Sequence, residues 1–164
     1  MEGTGTGKWR QAGVPHKGWT CVNIIDNGEP EFVCEMCEVM HIRYIHVMEH
    51  AAHPPLACGC ICAGHMEEDV HGARKRESGF KSRQLRRKNW LSRRWQHSAR
   101  GNDFLNVRGY NVVVFPSGFG GYCGRLTRRD GVGGSRFVAA HPSPEAAKLA
   151  AFDELERLKE AEHV

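Results

Sequence analysis

Two clusters of cysteine residues constrain this chain more than any other feature of its sequence. Cys34 and Cys37 are separated by two residues, and about 20 residues later three more cysteines lie at positions 58, 60 and 62. The two-residue gap lets both thiolates of a tight turn face one ion, and Gly59 permits a second tight turn in the later cluster. Two clusters at this separation predict a structural zinc site with four ligands.

The later cluster offers more thiols than one site needs. Cys58 is the main substitute for either predicted ligand in that cluster, and Cys21 is a further one. An iron–sulfur cluster would also use four thiolates, but the ferredoxin spacings are not present. Four thiolates close the coordination sphere, so we expect a scaffold and not a hydrolytic centre. The predicted zinc ligands are Cys34, Cys37, Cys60 and Cys62.

Four histidines between the clusters raise the alternative of a catalytic metal site with an open position: His41, His46, His50 and His53. Two prolines follow His53 directly and break any helix that would present His46 and His50 on one face. Enough cysteines are present to complete the site without them. The sequence therefore favours a metal site that has no histidine ligand.

The segment around the cysteines has a recognisable order of elements. Residues 40–50 alternate as a strand or hairpin does, and residues 63–70 are predicted to begin a helix whose N-terminal amides stabilise thiolates. A cysteine knuckle, a hairpin and a helix that begins at ligands resemble the treble-clef class of zinc modules. The resemblance covers roughly residues 20–70 and implies a small zinc-stabilised fold.

Charge divides the chain into three blocks. Residues 1–73 carry 4 Lys/Arg against 10 Asp/Glu, residues 74–100 carry 11 against 1, and residues 101–164 carry 8 against 8. A block as basic as the second repels itself unless it is solvated or meets a polyanion. We therefore predict a flexible tail at 1–17, a zinc-binding module at 18–73, a basic helical arm at 74–100 and a C-terminal domain at 101–164.

The basic arm has no proline and, after Gly79, no glycine, which predicts a helix from about 80 to 98. Glu77 is its single acidic residue, whereas a solvated helix usually interleaves glutamate with lysine. Arginine suits phosphate groups and tryptophan suits base stacking, so we predict contact with nucleic acid. An acidic protein partner and a membrane surface are the alternatives. The predicted contact residues are Arg83, Arg86, Arg87, Lys88, Trp90, Arg93, Arg94 and Trp95.

The last third of the chain predicts three antiparallel strands and one helix. The strands are expected near 109–115, 122–128 and 135–140, divided by glycine-rich turns. A helix from about 144 to 161 follows, with Ser143 as its N-cap, Pro144 at its first position and Glu145 at the positive end of its dipole. Alternation along the strands predicts that the helix side of the sheet carries Tyr122, Leu126, Phe137 and Ala139.

The opposite face is then predicted to carry Arg125, Thr127 and Arg136, with Arg128 at a turn. Three strands followed by the alanine-rich helix of residues 143–153 resemble the plant ethylene-responsive-factor domain and its relatives in phage integrases and homing endonucleases. In that family the sheet lies in the major groove, which implies base contacts for Arg125 and Arg136 and a nearby contact for Arg128. A sheet that binds double-stranded RNA, or a purely structural one, is the alternative.

The sequence therefore predicts an α+β fold: a treble-clef-like zinc module, a basic helical linker and a three-stranded antiparallel sheet packed by one helix. The predicted function is non-catalytic nucleic-acid binding with Zn²⁺, DNA being favoured over RNA, as in a bacterial or phage accessory factor. The alternative is an adaptor whose acidic zinc module binds a partner enzyme. A nuclease is disfavoured because no His-Asn-His group is present. Without a long apolar run, we expect a cytoplasmic protein, nucleoid-associated in a bacterium, and no membrane partner.

Overall fold

The computed structural model describes residues 5–164, and the chain divides into two compact units, residues 1–83 and 84–164. The division falls inside the predicted basic arm, at neither of its expected ends. A single helix, Val70–Lys88, runs through the boundary. The first half of the basic arm therefore belongs to the first unit and the second half to the second.

The first unit contains a three-stranded antiparallel sheet and a short separate hairpin. In spatial order the sheet strands are β1 (Thr20–Asp26), β4 (Tyr44–His50) and β5 (His53–Cys58). The hairpin pairs β2 (Phe32–Val33) with β3 (His41–Ile42). A short helix, α1 (Cys60–Glu67), begins two residues after the last strand ends. The predicted alternation of residues 40–50 is confirmed as β3 and β4.

The helix of the basic arm, α2, spans Val70–Lys88 instead of the predicted 80–98. Gly79 does not interrupt it, because a glycine inside a helix costs only about 1 kcal/mol relative to alanine. The helix ends early because Trp90, only 2% exposed, is taken into the core of the second unit. Residues 89–93 form a turn there, in which the Trp90 N–H bonds the carbonyl of Arg87 at 3.2 Å.

The second unit has one antiparallel sheet of five strands, so the predicted count of three is wrong. In spatial order the strands are β10 (Arg136–His141), β9 (Tyr122–Arg128), β8 (Tyr110–Pro116), β7 (Asp103–Val107) and β6 (Gln96–His97). With five strands, the sheet differs from the three-stranded sheet on which the resemblance to the ethylene-responsive-factor domain depended. The last helix, α3 (Pro144–Ala161), packs on this sheet.

Sequence reasoning missed two strands, β6 and β7, and β7 joins β8 through a two-residue turn. Arg108 and Gly109 both have positive φ, 50° and 84°, which is the backbone of a tight hairpin turn. Asn-Gly or Asp-Gly usually marks such a turn, and arginine at the first position gives no warning of it. The predicted first strand, β8, therefore pairs with β7 as well as with β9, and Leu105 of β7 lies opposite Val112.

Strand pairing decides which side chains face α3, and it corrects one part of the prediction. Leu126 is buried under the helix as predicted. Phe137 is 68% exposed, because it lies opposite Arg125 in β9 and therefore on the open side of the sheet. Arg136 lies opposite Leu126, on the helix side. A one-residue difference in register reverses every side chain of a strand, which is why the faces of β10 were predicted wrongly.

The start of α3 follows the prediction closely. The hydroxyl of Ser143 accepts the backbone N–H of Ala146 at 3.1 Å, Pro144 is the first helical residue, and Glu145 lies in the first turn. The helix ends at Ala161, as expected from the sequence. None of the helices in the described part of the chain is both long and apolar enough to cross a membrane.

A buried carboxylate on α3 holds the end of α2 within the second unit. Glu156 is 4% exposed and accepts hydrogen bonds from Arg86 at 2.7 Å and from Arg108 at 2.5 Å. Burial alone would raise the pKa of Glu156, but the hydrogen bond from Arg86 and the charges of Arg86 and Arg108 outweigh it and lower the pKa. The carboxylate is therefore held ionised by two arginines.

Replacing this carboxylate should destabilise the second unit. We expect Glu156→Gln to lower the free energy of unfolding by about 2 kcal/mol, because charge-assisted hydrogen bonds from two arginines are lost. Asp153→Asn, which removes an exposed ion pair with Arg87, should cost less than about 1 kcal/mol. Urea denaturation of both variants measures the difference.

The stability difference between the wild type and Glu156→Gln should also depend on pH. Because folding lowers the pKa of Glu156, its contribution is fully present above the unfolded-state value of about 4.3 and is lost as the pH falls through the folded-state pKa. The stability gap between the wild type and Glu156→Gln should therefore narrow under acidic conditions. Equal stabilities of the two proteins at neutral pH would contradict this account.

Candidate metal centre and the predicted nucleic-acid contacts

The first cysteine pair lies in the turn of the β2–β3 hairpin. The N–H of Cys34 bonds the carbonyl of Met40 at 2.8 Å, and the N–H of Glu38 bonds the carbonyl of Cys34 at 2.8 Å. Glu38 has a φ of 59°, which closes the turn after Cys37. Both cysteines are fully buried. The local sequence thus forms the knuckle that the two-residue spacing predicts.

The second pair of thiols comes from the junction of β5 and α1. Cys58 is the last residue of the strand, Gly59 is the N-cap of the helix, and Cys62 lies in the first helical turn. Cys58 is fully buried and Cys62 is 2% exposed. The positive end of the helix dipole therefore lies beside the Cys62 sulfur.

The thiols of the two pairs converge. The Sγ atoms of Cys34, Cys37 and Cys62 lie within 4.8 Å of one another, and the buried Cys58 lies beside Cys34. All are free thiols and form no disulfide. Four sulfurs at about 2.3 Å from one tetrahedral ion would lie roughly 3.8 Å apart, so this cluster is compact enough to hold a metal ion.

Hydrogen bonds to the Cys34 sulfur stabilise its thiolate. The thiols of Cys58 and Cys62 and the backbone N–H groups of Cys37 and Gly59 all point to it, and they lower the pKa of Cys34. The Gly59 bond is 3.3 Å long. Interaction with Cys34 and burial raise the pKa of Cys58 and of Cys62. A bound cation would displace the protons of these thiols.

The N-terminal segment packs on this cluster, which corrects the prediction of a flexible tail at 1–17. Thr6 Oγ1 donates to the carbonyl of Cys37 at 2.8 Å, and the Lys8 N–H donates to the carbonyl of Met36 at 2.8 Å. Gly7 has a φ of 59°, and a Cβ there would approach the Cys37 carbonyl oxygen to 2.6 Å. The predicted tail also includes residues 1–4, which lie outside the described residues.

Trp9 completes this N-terminal contact. Its indole N–H donates to the Sγ of Cys62 at 3.5 Å, and its ring packs against the core of the first unit. Sequence reasoning missed the residue because a tryptophan beside several glycines carries no metal-site signal. It is a neutral donor to a thiol of the cluster, and such a donor would tune the affinity of a bound metal without direct coordination.

Cys60, a predicted ligand, lies away from the cluster of Cys34, Cys37 and Cys62, whereas the substitute Cys58 is buried beside Cys34. Cys60 is the first residue of α1, two residues before Cys62, and two residues turn a helix by about 200°. The two thiols therefore point to opposite sides. Cys60 instead lies within 4.8 Å of ligand atoms of His46 and Glu77. Burial and the charge of Glu77 raise the pKa of Cys60 to about 11.

His46, which the sequence analysis set aside as a ligand, is fully buried in this second group. Its Nε2 lies 3.0 Å from Glu77, and its Nδ1 lies 3.4 Å from Arg76 and 3.8 Å from the Sγ of Cys21. Burial lowers the pKa of His46, although the hydrogen bond and charge of Glu77 oppose this shift. The guanidinium of Arg76 disfavours a second cation here, and the group forms a polar network that joins β4 to α2.

The tryptophans and two arginines predicted to contact nucleic acid are engaged by other residues of the second unit. Trp90 is buried and its indole N–H donates to the carbonyl of Lys148 at 2.6 Å, while half-buried Trp95 donates to the carbonyl of Trp90 at 3.2 Å. Arg86 pairs with Glu156 and Arg87 with Asp153. These rings are not free to stack on bases, and Arg86 is committed to a buried carboxylate.

The remaining predicted contacts divide into exposed and engaged side chains. Arg128 forms ion pairs with Asp130 and Glu162, Arg136 lies on the helix side of the sheet, and Arg83 is half-buried on α2. The exposed members are Lys88, Arg93, Arg94 and Arg125. The structure therefore separates side chains that looked equivalent in the sequence.

Serine substitutions in the second cluster should distinguish the two candidate ligands. We expect Cys58→Ser to weaken metal binding by more than about 100-fold, since loss of an outer-shell partner alone costs 10–100-fold. Cys60→Ser should retain wild-type affinity, because its thiol faces Glu77. Competition with a chelating dye measures both affinities. A loss confined to Cys60→Ser would show that the ligand set is wrong.

The indole of Trp9 offers a second test. We expect Trp9→Phe to lower metal affinity by about tenfold, because the N–H···S bond to Cys62 is lost while most of the ring remains. Arg10→Ala, next along the chain and exposed, should leave the affinity unchanged. If the two variants bind metal equally well, the indole does not tune the site.

Comparison of this chain with protein-family models, curated proteins and solved structures finds no match. What the protein does is therefore inferred from its own residues. Two features remain for that inference: a buried cluster of thiols in the first unit and a group of exposed cations in the second.

Proposed function

We propose that Cys34, Cys37, Cys58 and Cys62 hold one structural Zn²⁺ ion. Four thiolate donors in a tetrahedral arrangement suit zinc, and the cysteine spacing does not match the ferredoxins. A knuckle in the β2–β3 turn, the β4–β5 hairpin and a helix that begins at the second ligand pair follow in the order of a treble clef. With all four positions taken by sulfur, the ion has no open site for a substrate.

We further propose that the protein binds nucleic acid, DNA ahead of RNA, and does so without catalysis. The observation that carries this proposal is a set of exposed cations in the second unit with no ion pair among the described residues: Lys88, Arg93, Arg94, Arg100, Arg125 and Arg129. Each is free to neutralise a phosphate group. Cations that lack acidic partners repel one another and favour a polyanion.

The distribution of ion pairs supports this assignment. The carboxylates of the second unit are largely engaged within it, as in the pairs that Asp103 forms with Lys148 and Glu154 with Arg157. These pairs fix the fold and leave a positive surplus on the surface. Lys88, Arg93 and Arg94 lie at and just beyond the end of α2, and all three are exposed.

A protein-binding adaptor is the second candidate, and one observation favours it. Exposed apolar side chains surround the knuckle: Val33 is 41% exposed, Val39 is 53% exposed and Met40 is 38% exposed. They lie in the acidic first unit beside Glu35 and Glu38. A partner with an apolar, basic surface would fit them. Binding of nucleic acid by the isolated protein would favour the first candidate.

Removing exposed cations should weaken nucleic-acid binding and reduce its dependence on salt. We expect Lys88→Gln, Arg93→Gln and Arg94→Gln together to reduce the slope of log K against log salt concentration by about 2 to 3 for duplex DNA. Fluorescence anisotropy with duplex and single-stranded DNA and with RNA, each at two salt concentrations, measures affinity and slope.

Arg157→Gln is the matched control, because Arg157 is exposed but paired with Glu154 on α3. It should leave both quantities near their wild-type values. The proposal fails if the triple variant binds every probe as the wild type does, or if the wild type binds none of them.

A further inference from the structure

The sheet of the second unit has one face that α3 does not cover. Strand pairing places five side chains in a single row across it: Gln96 is opposite Phe104, Phe104 opposite Val113, Val113 opposite Arg125, and Arg125 opposite Phe137. Side chains that are opposite in adjacent strands lie on the same face. The row therefore crosses all five strands and carries two phenyl rings with an arginine between them.

The surroundings of this row are polar but not acidic. Two residues along the strands on the same face, Asn106, Asn111 and Thr127 lie on one side of the row. Phe115, two residues along β8 from Val113, lies on the other side. No Asp or Glu occupies any of these described positions. A groove of about 580 Å³ runs along this side of the sheet, with Arg100 and Arg125 among its lining residues.

Exposure of the aromatic rings is the unusual feature of the face. Phe137 is 68% exposed, and Phe104 and Phe115 are half-buried. Burying a phenyl side chain stabilises a protein by about 1.5–3 kcal/mol, so rings left on an open sheet indicate a ligand that covers them. The two cations beside the rings, Arg100 and Arg125, favour an anionic ligand.

We propose that this open sheet face binds single-stranded DNA, with unpaired bases stacked on Phe104 and Phe137 and phosphates held by Arg100 and Arg125. The inference rests on the proposed function and names the form of nucleic acid. A duplex presents only base edges and phosphates, because its base faces are stacked on one another, so phenyl rings on a sheet gain little from it. A single strand offers both a π-face and a phosphate for every nucleotide.

The distance between the two phenyl rings determines how a single DNA strand would bind to them. Phe104 and Phe137 are three strand spacings apart, about 14 Å, which is too far for both rings to contact one base. Each ring therefore takes a different base, with Arg125 between them. Val113 presents methyl groups in the same row, which suits the C5-methyl group that thymine has and uracil lacks.

The test compares matched phenylalanine substitutions in the full chain. The probes are a labelled oligothymidylate of about 16 nucleotides, a mixed-sequence duplex of equal length and an oligouridylate of equal length, and fluorescence anisotropy measures each affinity. We expect Phe137→Ala to weaken oligothymidylate binding about tenfold and to leave duplex binding unchanged. Phe119→Ala is the control, because Phe119 is fully exposed in the β8–β9 turn and lies outside the row.

The outcomes separate this inference from the proposed function. If Lys88→Gln, Arg93→Gln and Arg94→Gln together weaken binding while Phe137→Ala does not, nucleic-acid binding stands and the stacking face is wrong. If neither variant affects any probe, the proposed function itself fails. Tighter binding of the wild type to the duplex or to oligouridylate than to oligothymidylate would also overturn the assignment. Unchanged urea denaturation of Phe137→Ala shows that any loss arises at the surface.

Discussion

Four buried thiols in a small core are the constraint around which the first unit is arranged. The β2–β3 turn, the end of β5, the first turn of α1 and the N-terminal segment each bring a sulfur or a hydrogen-bond donor to the same point. The surrounding core is made of methionine, tryptophan and only a few aliphatic residues. Such a core is small for an independent fold, so the thiol cluster, with its proposed zinc ion, supplies stability that packing alone does not.

The second unit is stabilised in a different way. Its core is a conventional layer of aliphatic and aromatic side chains between α3 and the sheet, with Trp90, Leu126 and Phe152 at its centre. The end of α2 is fixed to this core by a buried tryptophan and by the Arg86–Glu156 pair. These contacts use part of the basic arm as structure, which is why the cations that remain exposed are fewer than the sequence suggested.

The thiol cluster and the open sheet face bring their residues together in different ways. In the cluster, thiols meet at one point, where we propose that a single ion binds. On the sheet, register alone brings Phe104, Arg125 and Phe137 into line, although they lie far apart in the sequence. The proposed binding of single-stranded DNA depends on that register, since a shift of one residue would bury the rings beneath α3.

The sequence by itself determined the knuckle at Cys34 and Cys37, the strand alternation of residues 40–50 and the start of α3 at Ser143, because each depends on neighbours a few residues away. Only the tertiary structure decided that Cys60 lies with His46 and Glu77 and not with Cys34, Cys37 and Cys62, because the answer depends on the direction of α1 relative to β5. The tertiary structure also decided that the sheet of the second unit has five strands, that Trp9 packs against Cys62 and that Arg86 pairs with Glu156. Those outcomes join residues far apart in the chain, and no local pattern encodes such pairings.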